Sequence, residues 1–194
     1  MSTVALPLAV TAVRSRSLVA KIALVIAGAG LIAACAQISI PLPFTPVPIT
    51  GQTFAVLLVG TSLGLTLGVA STALYVAAGI AGAPIYADGD HGWSVITSAS
   101  GGYLVGFVLA SALVGGLARL GWDRRFGTAS ASMLAGNVIV YLVGLPWLAV
   151  VLNTDLDKTL EYGLYPFVVG DLVKLYLAAA LLPAAWRLVQ RLTR

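Results

Sequence analysis

Between Lys21 and Asp88 the chain carries no charged side chain. A soluble domain cannot cover its surface with so long an uncharged stretch. The rest of the sequence is little different. Charged residues are 9% of the 194, hydrophobic residues are 59%, and mean hydropathy is +0.99. The chain therefore reads as an all-α integral membrane protein. Its length allows about six helices of roughly 20 residues with short connections.

Apolar runs predict those helices at roughly 19–40, 52–66, 68–86, 101–119, 128–152 and 165–188, forming a single six-helix membrane domain over residues 1–194. The second and third runs nearly touch, so a tight turn near Gly64 to Gly68 has to reverse the chain. Basic residues cluster beside the spans: Arg14, Arg16 and Lys21, then Arg119, Arg124 and Arg125, then Arg187, Arg191 and Arg194. With six spans all three clusters fall on one side, which the positive-inside rule makes cytoplasmic, together with both termini. Asp88, Asp90, Asp155, Asp157 and Glu161 then face outward. The sequence "LIAAC" at 31–35 resembles a lipoprotein cleavage site, but its apolar run continues to residue 40, longer than a signal segment's core.

Composition also excludes several functions. The net charge of +4 is dispersed in small clusters beside apolar spans, which argues against a nucleic-acid partner. One cysteine, Cys35, and one histidine, His91, leave no disulfide and no metal site. No Walker A loop, paired catalytic carboxylates or Ser/His/Asp set is present, so an enzyme, including a lipid-modifying one, is disfavoured. Energy for uphill transport has to come from elsewhere.

Against this background Asp171 and Lys174 stand out in the last apolar run. If that helix starts at Tyr165, they lie about 9 Å and about 14 Å along it. Each charge at such depth costs on the order of 2.5–3.5 kcal/mol on insertion scales. Three positions apart, they share a helix face and partly neutralise each other. The pair is either an ion pair pinning the helix or a grip for a small polar solute in a wet cavity. Other polar candidates flank the outer side. In "PLPFTPVPITGQT" (41–53) four prolines hold an extended segment, a rigid connector or a lid, before Thr50, Gln52 and Thr53 open the next helix. "GDHGWSVITSASGGYLVGF" (89–107) is a Gly-rich loop entering the fourth helix, and Asn137 is a lone amide deep in the fifth. Small residues also recur at helical spacing: Gly60, Gly64 and Gly68; Gly102 and Gly106; Ala20, Ala23, Ala27, Gly30 and Ala34. Such faces serve close packing within the bundle or docking of another membrane protein.

Taken together, "PVPITGQT", "GGYLVGF", "GN" with Tyr141, "GLPWL" and "PFVVGDLVK" resemble the BioY family, from about residue 20 onward. Members of that family are biotin-binding S components of energy-coupling factor (ECF) transporters, a type of ABC importer. The resemblance implies a six-helix bundle in the bacterial plasma (inner) membrane, with a biotin site open to the outside. It implies that Asp171 and Lys174 engage the ureido head of biotin. Asp171 would accept an N–H, and Lys174 would donate to the ureido oxygen. Gln52, Tyr103 and Asn137 follow as further biotin-binding candidates, then Tyr86 and Asp88. The face of helix one containing Ala23 and Ala27 would dock the membrane-embedded T component, which couples to two ATPase subunits. ATP would be used there, and this chain would carry no cofactor of its own. The loop before "GGYL" departs from the family pattern, so His91 or Asp88 could supply its ligand contact. An S component for another vitamin, such as thiamine or riboflavin, and a structural membrane subunit remain alternatives.

Overall fold

The computed structural model describes residues 7–13 and 17–192; Arg14, Arg16 and Arg194 of the basic clusters lie outside the described residues. A short helix α1 (Leu8–Val13) precedes α2 (Leu18–Ala36), whose first turn is capped by Ser17 accepting the Ala20 N–H. Helix α2 stops at Ala36, earlier than residue 40, because β1 (Ser39–Ile40) pairs antiparallel with β2 (Ile49–Thr50). That pairing closes the proline-rich segment into a loop. Then follow α3 (Gln52–Ile80), α4 (Trp93–Ile96), α5 (Gly101–Arg119), α6 (Phe126–Leu152), α7 (Leu156–Gly163) and α8 (Val168–Leu192).

Among the described residues five helices are long and apolar enough to cross a membrane, one fewer than the six expected. The second and third expected spans are two arms of α3, which breaks at Gly64 (φ 75°, ψ 179°). A side chain would be strained there, so glycine permits the reversal. The arms are roughly 18 Å and 24 Å long at 1.5 Å per residue, short for a hydrocarbon core of about 30 Å. The chain does double back at the break. Gln52 and Tyr75, 23 residues apart, are hydrogen-bonded at 2.6 Å, although a straight helix would separate them by about 35 Å. A methyl group on Gly68 would lie 2.7 Å from the Gly60 Cα, so Gly68 is needed where the arms cross. The second arm ends at Ile80 rather than residue 86, since Gly82 takes φ 102° and Pro84 follows.

Small residues set the packing. Gly60 abuts Ser111 and Val114 of α5, Gly115 abuts the Gly64 break, and Gly106 abuts Val140 of α6. The centre is thus α3–α5–α6, with α8 packed across α6 and α3, and α2 against α3. Helix α2 behaves differently. It buries Gly28, Ile32 and Ala36 against the bundle, while Ala23, Ala27, Gly30 and Ala34 are exposed on its other side.

The bundle has two distinct ends. At one, Arg119 reaches Thr66 beside the Gly64 break at 3.0 Å, and the Arg124 guanidinium lies 4.9 Å from the ring centroid of Trp186 on α8. This groups the α3 break, the α5–α6 turn and the C-terminal part of α8, and with them Arg119, Arg124, Arg125, Arg187 and Arg191. The proline loop, Asp88, Asp90 and α7 gather at the other end.

Candidate functional site

A cavity of about 370 Å³ opens at the end away from Arg119, Arg124 and Arg125, within the range of small-molecule sites. Its roof is the proline loop 41–48. Thr45 pins that roof by donating to the Tyr162 carbonyl of α7 at 2.7 Å and accepting the Val47 N–H at 3.2 Å. Its walls include Leu104, Phe107, Val140 and Phe167, and its polar groups include Gln52, Thr53, Tyr141, Asp171 and Lys174. A chamber with apolar walls on one side and converging polar groups on the other suits a small solute with a polar head.

Asp171 lies in the first turn of α8, since the chain turns through Tyr165–Phe167 and the helix begins at Val168. This corrects the expected start at Tyr165 and places the pair nearer the helix end than reckoned. The helix dipole favours a carboxylate at that position. Asp171 is 5% exposed, and donors from three elements converge on it. Tyr141 Oη makes a short hydrogen bond to Oδ2, and Asn137 Nδ2 donates to the same oxygen at 3.2 Å. Lys174 Nζ reaches Oδ1 at 3.0 Å, with Thr53 Oγ1 at 3.5 Å. Tyr141 and Asn137 are one turn apart on α6, so a single helix face supplies both.

The carboxylate is thus held from all sides, while Lys174 is less committed. Its ammonium has three N–H donors, and two are used, on Asp171 and on Thr53 at 3.4 Å. Its side chain keeps 19% exposure to the cavity. Chemically, the arrangement offers a fixed negative charge holding a positive donor at the cavity wall. A ligand oxygen can take the remaining N–H of Lys174 at once. A ligand N–H reaches Asp171 by taking over the long Thr53 contact.

The other predicted residues fall into three groups. Gln52 faces the cavity, and its amide is fixed by Tyr75 and Thr50. Tyr103 and Tyr86 line the cavity, yet their hydroxyls are spent on backbone carbonyls, Tyr103 on Gly163 at 2.9 Å and Tyr86 on Val76 at 2.6 Å. Their hydroxyls are therefore not free toward the cavity. Asn137 stands behind Asp171 instead of lining the cavity, and its Oδ1 is buried without a partner. Asp88 is at the rim in a left-handed conformation (φ 59°), accepting from Ser39 at 3.0 Å. His91 is exposed and does not line the cavity, so of the two loop candidates only Asp88 reaches it. Sequence reasoning did not single out Tyr141 or Thr53 as site residues. Tyr141 was legible from its four-residue spacing to Asn137, and Thr53 from its place beside Gln52. Among the described residues no group of His, Cys, Asp and Glu is arranged to hold a metal.

Comparison with known proteins gives a consistent picture. The model of the BioY family matches residues 6–191. The chain is 40% identical over 149 residues to the biotin transporter BioY of Thermotoga maritima, covering 77% of this chain and 85% of that protein. It is 36% identical over 140 residues to a probable biotin transporter BioY of Pyrococcus horikoshii, covering 72% and 79%. Its fold superposes, with a TM-score of 0.79 and 26% identity, on the crystal structure of the S-component for biotin from an ECF-type ABC transporter, covering 87% of this chain and 92% of that one. With the family model spanning almost its whole length, this multi-pass membrane chain belongs to the BioY family.

Proposed function

We propose that this protein captures biotin as the S component of an ECF-type importer, holding it in the cavity beneath the proline loop. The observation that carries this reading is the Asp171–Lys174 pair, buried in the wall of a largely apolar chamber at the acidic end of the bundle. Lys174 donates to the ureido oxygen, and Asp171 accepts a ureido N–H in place of Thr53. Charge-assisted bonds of this kind are strong in a dry pocket. Phe107, Val140 and Phe167 supply apolar wall for the fused ring and the acyl chain. The cavity opens to the outer face of a bacterial plasma membrane, since the basic clusters occupy the other end.

The test is binding of radiolabelled biotin to purified protein, beside Asp171→Asn and Lys174→Ala. Wild type is expected to bind saturably and tightly, and both variants to lose on the order of a hundredfold, about 3 kcal/mol. Unchanged affinity in both would leave the pair as an ion pair within a structural subunit. No saturable binding of biotin to wild type, with saturable binding of labelled thiamine or riboflavin instead, would reassign the solute.

Uptake needs partners, and the exposed small-residue face of α2 supports a docking role for Ala23 and Ala27. Smooth faces of this kind let helix backbones approach in lipid, and nothing within the described chain covers this one. A T component joined to two ATPase subunits would sit there, hydrolysing ATP on behalf of a chain that is itself no enzyme. Ala23→Trp and Ala27→Trp are expected to lower ATP-driven uptake more than tenfold while leaving biotin binding intact. Full uptake in both would place the docking face elsewhere.

A further inference from the structure

Gln52 presents a primary amide to the cavity from the first turn of α3. An unrestrained amide turns over readily and cannot tell an acceptor from a donor. This one is gripped at both ends. Thr50 Oγ1 accepts the Gln52 backbone N–H at 3.3 Å and donates to Oε1 at 2.8 Å. Nε2 donates to the Tyr75 hydroxyl at 2.6 Å. One N–H and one oxygen lone pair of the amide carry no hydrogen bond from the described residues.

Tyr75 is itself immobile. It is fully buried and packed edge-on against Tyr86, with ring centroids 5.5 Å apart. Tyr86 fills the space left by Gly79, where a methyl group would collide with its ring. Tyr75 stands on the second arm of α3 and Gln52 on the first, so the reversal at Gly64 is what brings the clamp to the amide. A clamp this rigid is wasted on a residue that only fills space. It suits one that has to hold its amide plane at a set position and angle toward a solute.

We infer that Tyr75 and Thr50 are positioning residues that lock the Gln52 amide, making Gln52 a specificity determinant for ligands with a cyclic urea or cis-amide edge. Such an edge offers a carbonyl and an adjacent N–H, the complement of the two unused sites on the amide. Neither Tyr75 nor Thr50 needs to touch the solute. The inference rests on biotin being the solute, and its test separates the two claims.

The experiment measures dissociation constants of purified full-length protein for biotin and for 2-thiobiotin, whose thiocarbonyl sulfur, in place of the ureido oxygen, is a poorer acceptor. Tyr75→Phe keeps the ring and removes the clamp. It is expected to lower the preference for biotin over 2-thiobiotin about fivefold, the scale of one net hydrogen bond. Thr50→Val, which releases the other end of the amide, is expected to lower the same ratio. Gln52→Ala should do so as well, and adding Tyr75→Phe to it should change nothing further. Equal loss for both ligands in Tyr75→Phe, with the ratio kept, would reduce Tyr75 to packing and overturn the inference. So would losses in the double variant that simply add. Failure of wild type to bind either ligand would instead sink the biotin reading, and this inference with it.

Discussion

Among the described residues two carboxylates are buried, one toward each end of the bundle, in opposite surroundings. Asp171 has donors from Tyr141, Asn137, Thr53 and Lys174, and it borders a cavity. Asp123, in the α5–α6 turn, is 1% exposed; its Oδ2 takes the Trp186 indole N–H, and its Oδ1 has no partner. Burial pushes the Asp123 carboxyl above its ordinary value, against the opposing pull of the Trp186 bond and of Arg124. The contrast shows that burying a carboxylate does not by itself place it beside a cavity. What distinguishes Asp171 is an adjoining empty space and a cation kept in place at its wall. Asp123 does not line that cavity, and its neighbouring cation, Arg124, lies over the Trp186 ring; it works as a clasp between the α5–α6 turn and α8.

The sharpest way to break this distinction is to neutralise each acid in turn. Asp171→Asn is expected to weaken biotin binding on the order of a hundredfold, whereas Asp123→Asn stays within about twofold. Comparable losses at both would mean that the clasp also governs the cavity. A smaller effect separates stability from binding. Trp186→Phe removes the indole donor but keeps most of the ring, and it is expected to cost about 1–3 kcal/mol in denaturant unfolding, because a buried carboxylate oxygen is left unpaired. The biotin affinity of that variant should be unchanged.

The smallest effect is one of pH. An acid whose folded pKa is raised binds its proton more tightly folded than unfolded. Asp123 therefore costs nothing below the ordinary carboxylate range and destabilises progressively as pH rises from that range through its raised value. Asp123→Asn has no such cost and can still accept from Trp186. Thermal unfolding in detergent should show the variant gaining on wild type as pH rises above the ordinary carboxylate range. A difference independent of pH would place the raised titration elsewhere.

Much of the fold was legible because lipid imposes it. Apolar run lengths located α2, α5, α6 and α8, and the Gly64–Gly68 spacing located the reversal. What escaped was set by tertiary contact. The end of α2 at Ala36 depends on strand pairing with Ile49–Thr50 further downstream, and the late start of α8 on a turn after α7. Helix α7 is short and polar, so no apolar run announced it; only Asp155, capping the Lys158 N–H, marks its start. The site divides along the same line. Scarcity of charge exposed Asp171 and Lys174 at once. The Tyr75 clamp on Gln52 depends on two arms meeting, which spacing along the chain does not reveal.

The identical four-residue recurrence of small residues also has two outcomes. Gly60, Gly64 and Gly106 are consumed within the bundle, and Ala23 and Ala27 are left facing outward. Pattern alone does not separate them, because both need the same smoothness. Only the presence or absence of a neighbour does.

A biotin-bound crystal structure is the most direct measurement. The ureido oxygen should lie within hydrogen-bond reach of Lys174 Nζ, with a ring N–H on Asp171 in place of Thr53 and the acyl chain beneath the proline loop. Biotin seated anywhere else, with Lys174 still closed on Asp171 and Thr53, would contradict that assignment outright.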